Sequence, residues 1–301
     1  MPGRTVAIGE ISYHYTHFHI RIRRYTGVMK HLPKLVLCDI DGTIVNTNWD
    51  MTPATRQLFM DLHDKGVWTG IASGRPVDDI SFHIAKWDLP FEFDILVGLN
   101  GCEVVNHITG TSTLTHTLTG AQLRQAVDTM RQQGFEFIPF VYQGDRIVAE
   151  EISEVVRTSA LKSGKTPVQG SLDEICQDNA KIMLRTKEEA ETIRMEQYLA
   201  VHPIKGLKGF RTQPTLLEFA HPDISKAVPL PQIAEDLHIS LEDIMACGDT
   251  SNDNEMLKTA GIGVCLANGT EDTKACADYV TKLDCDHDGL AAFLHEQYPE
   301  L

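Results

Sequence analysis

Leu35-Val36-Leu37-Cys38-Asp39-Ile40-Asp41-Gly42-Thr43 decides how the rest of this chain is read. A continuously apolar run ends in two carboxylates spaced i, i+2, and Gly-Thr follows. Continuous rather than alternating apolarity marks a strand buried on both faces, as in a parallel sheet. Gly42 supplies the turn that ends it. In open α/β sheets ligands sit outside the carboxyl ends of the strands, where Asp39 and Asp41 would emerge. Two acids so placed can divide labour, one as nucleophile and the other as general acid and base. The string Asp-x-Asp-Gly also opens calcium loops, but those need further Asp or Asn ligands, a closing Glu and flanking helices. Nothing downstream completes such a loop.

The bulk composition narrows the function classes. A chain of 301 residues has room for one large or two ordinary domains. Hydrophobic content of 42% with 23% charged residues is that of a soluble globular protein, and no apolar stretch is long enough to span a bilayer. The net charge of −15 argues against general nucleic-acid binding, which relies on a basic surface. A phosphate binder this acidic must gather positive charge locally, through metal, Lys or helix N-termini. The seven cysteines are odd in number and form no Cys-x-x-Cys, which suits buried free thiols in a reducing cytoplasm and gives no zinc spacing.

Residues 1–28 stand apart, with Arg4, Arg21, Arg23 and Arg24 against the single acid Glu10. No secretory signal is visible there, so the stretch is expected to be an ill-ordered extension, with Met29 as a candidate start of the functional protein. The alternative is an edge strand over His17–Arg23 whose histidines, with His14, hold a metal.

Beyond the first strand, Thr52-Pro53 reads as an N-cap followed by proline at the first helical position. Leu58, Phe59 and Leu62 give that helix a buried face, and it should end near Gly66. Val67–Ala72 is a second apolar strand that ends in Ser73-Gly74-Arg75-Pro76, and Ile95–Val97 is a third that ends near Asn100-Gly101. From 118 to 220 the texture changes: helical patterns (122–133, 151–162, 188–201) alternate with strand-like runs (135–142, 146–149, 181–185, 215–219), with Ser163 to Pro167 as punctuation. Parallel-sheet texture returns at Ile244–Cys247, before Gly248-Asp249-Thr250-Ser251-Asn252-Asp253, and again at 261–266, before Ala267-Asn268-Gly269. The expected fold is therefore α/β, a doubly wound, Rossmann-like parallel sheet. Its core would be 29–117 and 221–301, with an inserted α+β cap over 118–220.

Four strand ends or helix starts now carry polar groups: Asp39 with Asp41, Ser73, Lys226, and Asp249 with Asp253. In the order Asp-x-Asp-Gly-Thr, Ser-Gly-Arg-Pro, Ser-Lys, Gly-Asp-x-x-Asn-Asp-x-x-Met they resemble the haloacid dehalogenase superfamily, and its Cof-like hydrolase branch in particular. The resemblance spans roughly 34–297. It implies a phosphatase in which Asp39 attacks phosphorus and forms an aspartyl-phosphate. Asp41 would protonate the leaving alkoxide and then deprotonate the attacking water. It implies Mg²⁺ bound by the Asp39 and Asp249 side chains, the Asp41 backbone carbonyl and waters, with Asp253 acting more indirectly, through water or by orienting Lys226. Physical sense agrees: at 4 Å and an effective dielectric of 20, each like-charge pair costs about 4 kcal/mol, and all-oxygen ligands select a hard cation. Ser73, Lys226 and Asn252 would contact the phosphate, Gly42 and Gly74 would let backbone N–H groups approach it, and Arg75 would support the scaffold. Taken singly, Ser73 and Asn252 would be caps and Lys226 a solvated lysine.

The family departs from this chain at Pro229 and Pro231, where a helix would normally continue. Each proline inside a helix costs about 3 kcal/mol, so the helix after Lys226 is expected to begin later or kink. The substrate implied is a small phosphorylated metabolite of the sugar phosphate kind. Lys181, Arg185 and Arg146 could reach it but read more simply as solvated surface charges. Phosphomutase activity and a non-catalytic phosphometabolite-binding role are the alternatives. Nothing in the sequence sets an oligomeric state.

Overall fold

Leu35–Cys38 forms β1 with all of its side chains buried. The computed structural model describes Met29 and residues 31–301; the N-terminal extension, with the histidine site read there, lies outside the described residues. After β1 come α1 (Pro53–Asp64), β2 (Trp68–Ala72), α2 (Val77–Ile84), β3 (Ile95–Gly98), β4 (Glu103–Asn106) and β5 (Thr111–Leu114). The middle of the chain builds α3 (Gly120–Gln132), β6 (Ile138–Gln143), β7 (Arg146–Ala149), α4 (Glu154–Lys162), β8 (Thr166–Gln169), α5 (Leu172–Ile175), β9 (Lys181–Arg185), α6 (Glu189–Val201), β10 (Lys208–Gln213) and β11 (Leu216–Ala220). The last part holds α7 (Leu230–Asp236), β12 (Ile244–Gly248), α8 (Asn254–Thr259), β13 (Ile262–Cys265), α9 (Glu271–Cys276), β14 (Tyr279–Val280) and α10 (Gly289–Gln297).

These strands form two sheets. The first runs β14-β13-β12-β1-β2-β3-β4-β5, and its pairings from β14 to β3 are all parallel. After β1 the chain moves outward to β2 and β3, then comes back to place β12 on the other side of β1. That reversal makes the carboxyl ends of β1 and β12 a topological switch point, where open α/β sheets bind ligands. The antiparallel pair β4–β5 extends the sheet and is absent from the sequence reading. Every residue of β5 is exposed, so Thr111–Leu114 lacks the apolar pattern that marks a strand.

α1 forms as its sequence predicts. Thr52 caps it by accepting from the Thr55 N–H, Pro53 opens it, and Leu58, Phe59 and Leu62 are buried. Each such side chain contributes roughly 1.5–3 kcal/mol through burial. The helix stops because Gly66 turns left-handed at φ +70°.

The second sheet, β10-β11-β9-β6-β7-β8, comes wholly from the 138–220 stretch. One face carries Val141, Val148, Ile182, Leu184, Leu217 and Phe219, which pack against Leu123, Val127 and Met130 of α3 and Met195 and Leu199 of α6. The other face carries Phe140, Ile147, Met183 and Leu216, partly covered by Val156 and Ala160 of α4. The stretch read as punctuation at 163–167 instead runs into β8 from Thr166. Pro167 is tolerated there because β8 is an edge strand, paired only to β7.

Candidate active site

β1 and β12 pair in register Cys38↔Cys247, so the residues after them leave the sheet side by side. The Asp39 N–H donates to the Cys247 carbonyl at 2.9 Å, which places the Asp39 side chain next to Gly248 and Asp249. A carboxylate oxygen from each of Asp39, Asp249 and Asp253 lies within 4.8 Å of the other two, and all three residues are buried. Gly248 permits this crowding, since a Cβ there would meet the Asp253 carboxyl carbon at 2.5 Å.

Lys226 is fully buried and donates from Nζ to Asp39 Oδ1 at 2.5 Å and to Asp253 Oδ1 at 2.7 Å. The solvated lysine of the isolated-residue reading is therefore not what forms. Lys226 sits in the turn before α7. The helix begins only at Leu230, with Pro229 at its N-cap and Pro231 in its first turn, where a missing N–H costs nothing.

The other oxygen of Asp253 accepts from the Asp249 and Thr250 N–H groups at 3.0 and 3.1 Å. Both oxygens of Asp253 are thus engaged, one by Lys226 and the other by backbone N–H groups. Asp249 is held more loosely, by Thr43 Oγ1 at 3.5 Å and Asn268 Nδ2 at 3.4 Å. Asn268 Nδ2 also donates to the Gly42 carbonyl at 2.8 Å. Burial pushes the Asp249 carboxyl up to about 7, and Asp253 and Asp41 add to the rise against the pull of Lys226. Asp39 is likewise raised, by burial first and by the Asp253, Asp41 and Asp249 charges, with Lys226 opposing. Burial opposes the charge on Lys226 too, but Asp253 and Asp39 outweigh it and hold the ammonium above its ordinary value. The free oxygen of Asp39 and the weakly held carboxylate of Asp249 form an all-oxygen set short of positive charge. That donor chemistry fits a hard divalent cation.

Asp41 points elsewhere. Its carboxylate is bound by Arg75 Nη2 at 3.2 Å and Nε at 3.4 Å and keeps 45% of its side-chain exposure. Arg75 also faces Asp79 at 3.5 Å, and its guanidinium lies 5.1 Å over the Trp49 ring. Ser73 is buried; its Oγ accepts from the Arg75 N–H at 3.3 Å, and among the described residues its own O–H has no acceptor. Gly74 packs against Asn100, which takes the left-handed conformation at φ 56° and accepts from Asn252 Nδ2 at 3.3 Å.

A cavity of about 670 Å³ opens between the first sheet's carboxyl ends and the second sheet. Asp41, Gly74, Arg75 and Asn252 line its floor; Tyr142, Lys181, Arg185 and Glu218 line its roof. The solvated reading of Lys181 and Arg185 fails, because both are about 95% buried. Lys181 Nζ binds Glu218 Oε2 at 2.9 Å and the Gly74 carbonyl at 3.0 Å, so it joins the two sheets. Arg146 is exposed and lies outside the cavity wall. Sequence reasoning passed over Asn100, Asn268 and Glu218. The first two ended strands in noted turns, and the third is a carboxylate inside an apolar run, so each left a visible mark.

Three comparisons bear on this geometry. A family model described as haloacid dehalogenase-like hydrolase matches residues 36–294. The Bacillus subtilis 5-amino-6-(5-phospho-D-ribitylamino)uracil phosphatases YcsE and YitU are each 26% identical, over 260 and 282 residues. Those alignments cover 86% and 90% of this chain and 93% and 99% of the relatives, so the likeness takes in both sheets. A crystal structure of a haloacid dehalogenase-like hydrolase from Bacteroides thetaiotaomicron agrees with a TM-score of 0.77 at 26% identity, covering 88% of this chain and 100% of that one. With its acids gathered at the switch point and its family match running through both sheets, the chain belongs to the haloacid dehalogenase-like hydrolases, in the Cof-like branch whose named relatives here are phosphatases.

Proposed function

We propose that this protein hydrolyses the phosphate monoester of a small metabolite, with Asp39 as nucleophile. The observation that carries this reading is the Lys226 bond to Asp39 Oδ1, which fixes the carboxylate and leaves Oδ2 free to attack. Oδ2 would bond to phosphorus as the substrate's ester oxygen departs, and Asp41 would give that oxygen a proton. For this Asp41 must first carry the proton, and a substrate entering between it and Arg75 would part the pair. Asp41 would then take a proton from water as the water oxygen attacks phosphorus, freeing inorganic phosphate and restoring Asp39.

Ser73 has a spare O–H and would bind a phosphoryl oxygen beside Asn252, and Gly42 and Gly74, lacking a Cβ, would let backbone N–H groups approach the same phosphoryl group. Mg²⁺ would be held by Asp39, Asp249 and the Asp41 carbonyl, where it supplies charge neutralisation for the phosphoryl oxygens. Asp253 would keep Lys226 aimed at Asp39, and Arg75 would steady Asp41.

Residues 118–220 would form a cap over a core of 29–117 and 221–301, excluding bulk water from the cavity. A sugar or sugar-alcohol phosphate fits a cavity of this size and polarity. The two Bacillus relatives are named for a phosphoribityl compound, which is of that class.

A screen of phosphorylated metabolites for phosphate release, with Mg²⁺ and with EDTA, tests the reading. Metal-dependent release that vanishes in Asp39→Asn supports it. Isomer formation without net phosphate release would make the protein a mutase, and release that persists in Asp39→Asn would remove Asp39 as nucleophile.

A further inference from the structure

The cationic side chains around the cavity are not equally satisfied. Arg75 is paired with Asp41 and Asp79, and Lys181 with Glu218. Lys162 is exposed beside Trp49, so water solvates it. Arg185 differs from all three. It is 6% exposed, and among the described residues no carboxylate lies within ion-pairing distance of it. Its hydrogen bonds all leave from Nη1, to Gln213 Oε1 at 3.2 Å, the Thr215 carbonyl at 3.5 Å and Thr215 Oγ1 at 3.0 Å. Among the described residues Nε is buried without a partner, and Nη2 makes no hydrogen bond.

A guanidinium stays charged in proteins, so burying one against neutral dipoles alone is costly. Burial does pull its pKa down, with only partial offset from Tyr142 and Glu218. Nε is closed to solvent, so Nη2 is the donor left for an oxyanion, and the Nε–Nη2 edge is the fork that would take two of its oxygens once the guanidinium turns toward them. Strand geometry says where that fork lies. Lys181 and Arg185 share the cavity-facing side of β9, and Lys181 touches Gly74 beside the phosphate floor. Four residues along a strand is about 13 Å, so Arg185 stands at the far end of the roof.

We propose that Arg185 recognises a second oxyanion, a carboxylate or a second phosphoryl group, at the end of the substrate remote from the phosphate that is cleaved. The inference rests on the phosphatase reading above and narrows its substrate to phosphorylated metabolites that carry two anionic ends.

Matched substrate pairs test this on the full-length wild-type enzyme with Mg²⁺. 6-Phosphogluconate is compared with sorbitol 6-phosphate, and fructose 1,6-bisphosphate with fructose 6-phosphate; the first pair isolates a carboxylate and the second a phosphoryl group. In at least one pair the doubly anionic member should have the higher kcat/KM, by about tenfold or more. That ratio, rather than either rate, should fall towards one in Arg185→Met and be partly kept in Arg185→Lys. No preference in either wild-type pair, or a preference that survives in Arg185→Met, overturns the proposal. The wild-type ratio needs no variant to fold.

p-Nitrophenyl phosphate serves as the control: if the wild type hydrolyses neither it nor any pair member, the phosphatase reading fails separately. Thermal stabilisation by the same compounds then decides. A larger shift with the doubly anionic member that is lost in Arg185→Met upholds the oxyanion site, and equal shifts reject it.

Discussion

Lys226 Nζ lies 2.5 Å from Asp39 Oδ1, with the lysine side chain fully buried and the aspartate side chain 9% exposed. The residues are 187 positions apart, and the turn ahead of α7 delivers the lysine to the end of β1. Asp253 shares the same ammonium, so a single cation stands against two buried carboxylates, with Asp249 beside them.

Lys226→Met should remove turnover and also destabilise the fold. Deleting one partner of a buried pair leaves uncompensated charge and costs roughly 3–5 kcal/mol. Chemical denaturation and phosphate release, measured on the same preparation, check this. A variant as stable as wild type would refute the account of Lys226 as the charge that holds Asp39 and Asp253 together.

Asp39→Asn should keep the fold and lose activity by on the order of 10³-fold or more, about 4 kcal/mol of transition-state stabilisation. Steady-state kinetics on p-nitrophenyl phosphate provides the measurement. Loss of only a few-fold would assign the nucleophile elsewhere.

Asp249 sets a pH dependence whose sign can be worked out. Its carboxyl is raised from an ordinary 3.8 to about 7, by burial first and then by its acidic neighbours. The folded state therefore holds this proton more tightly than the unfolded state. The stability it contributes is complete below about pH 4 and is lost as pH climbs through about 7. Asp249→Asn has no such proton to lose. In EDTA the Asn variant should gain stability relative to wild type between pH 5 and pH 8, by urea denaturation. With Mg²⁺ at pH 8 the order should reverse, because only the wild type gains the ion's binding energy.

Gly42 tests how tightly the turn after β1 is built. It holds φ +77°, and a Cβ there would fall 2.4 Å from Asp249 Oδ2. Gly42→Ala should cost about 1–2 kcal/mol in backbone strain and swing Asp249 aside. Reduced Mg²⁺ affinity alongside the stability loss is the expected result; unchanged affinity would show that Asp249 does not hold the ion.

Lys181→Met should leave Glu218 buried and unpaired, with a loss of roughly 3–5 kcal/mol, whereas Lys181→Met with Glu218→Met should recover most of it. A double-mutant cycle by denaturation reads the coupling. Additive effects would reduce the pair to a bystander of the link between Lys181 and the Gly74 carbonyl.

Most of the fold was legible because its signals are local. The apolar run before Asp39, the Thr52-Pro53 helix start and the acids after 244–248 all depend on residues within a few positions. Boundaries were missed where the local signal is weak, as at β5, whose four residues are exposed, and at β8, where Pro167 disguises an edge strand.

By itself, the sequence determined that Asp39, Asp41, Ser73, Lys226 and Asp249 leave the ends of strands or precede a helix. Strand alternation also places Lys181 and Arg185 on one face of β9. Tertiary structure alone decided which face of the second sheet looks at the site. α3 and α6 cover the face bearing Ile182 and Leu184, which leaves the one bearing Lys181 and Arg185 to the cavity. It also decided that Asp41 turns to Arg75 while Asp39 turns to Lys226. Such choices depend on charges brought together from 34 positions apart in the first case and 187 in the second, and neither propensity nor periodicity encodes a distance between groups so far apart along the chain.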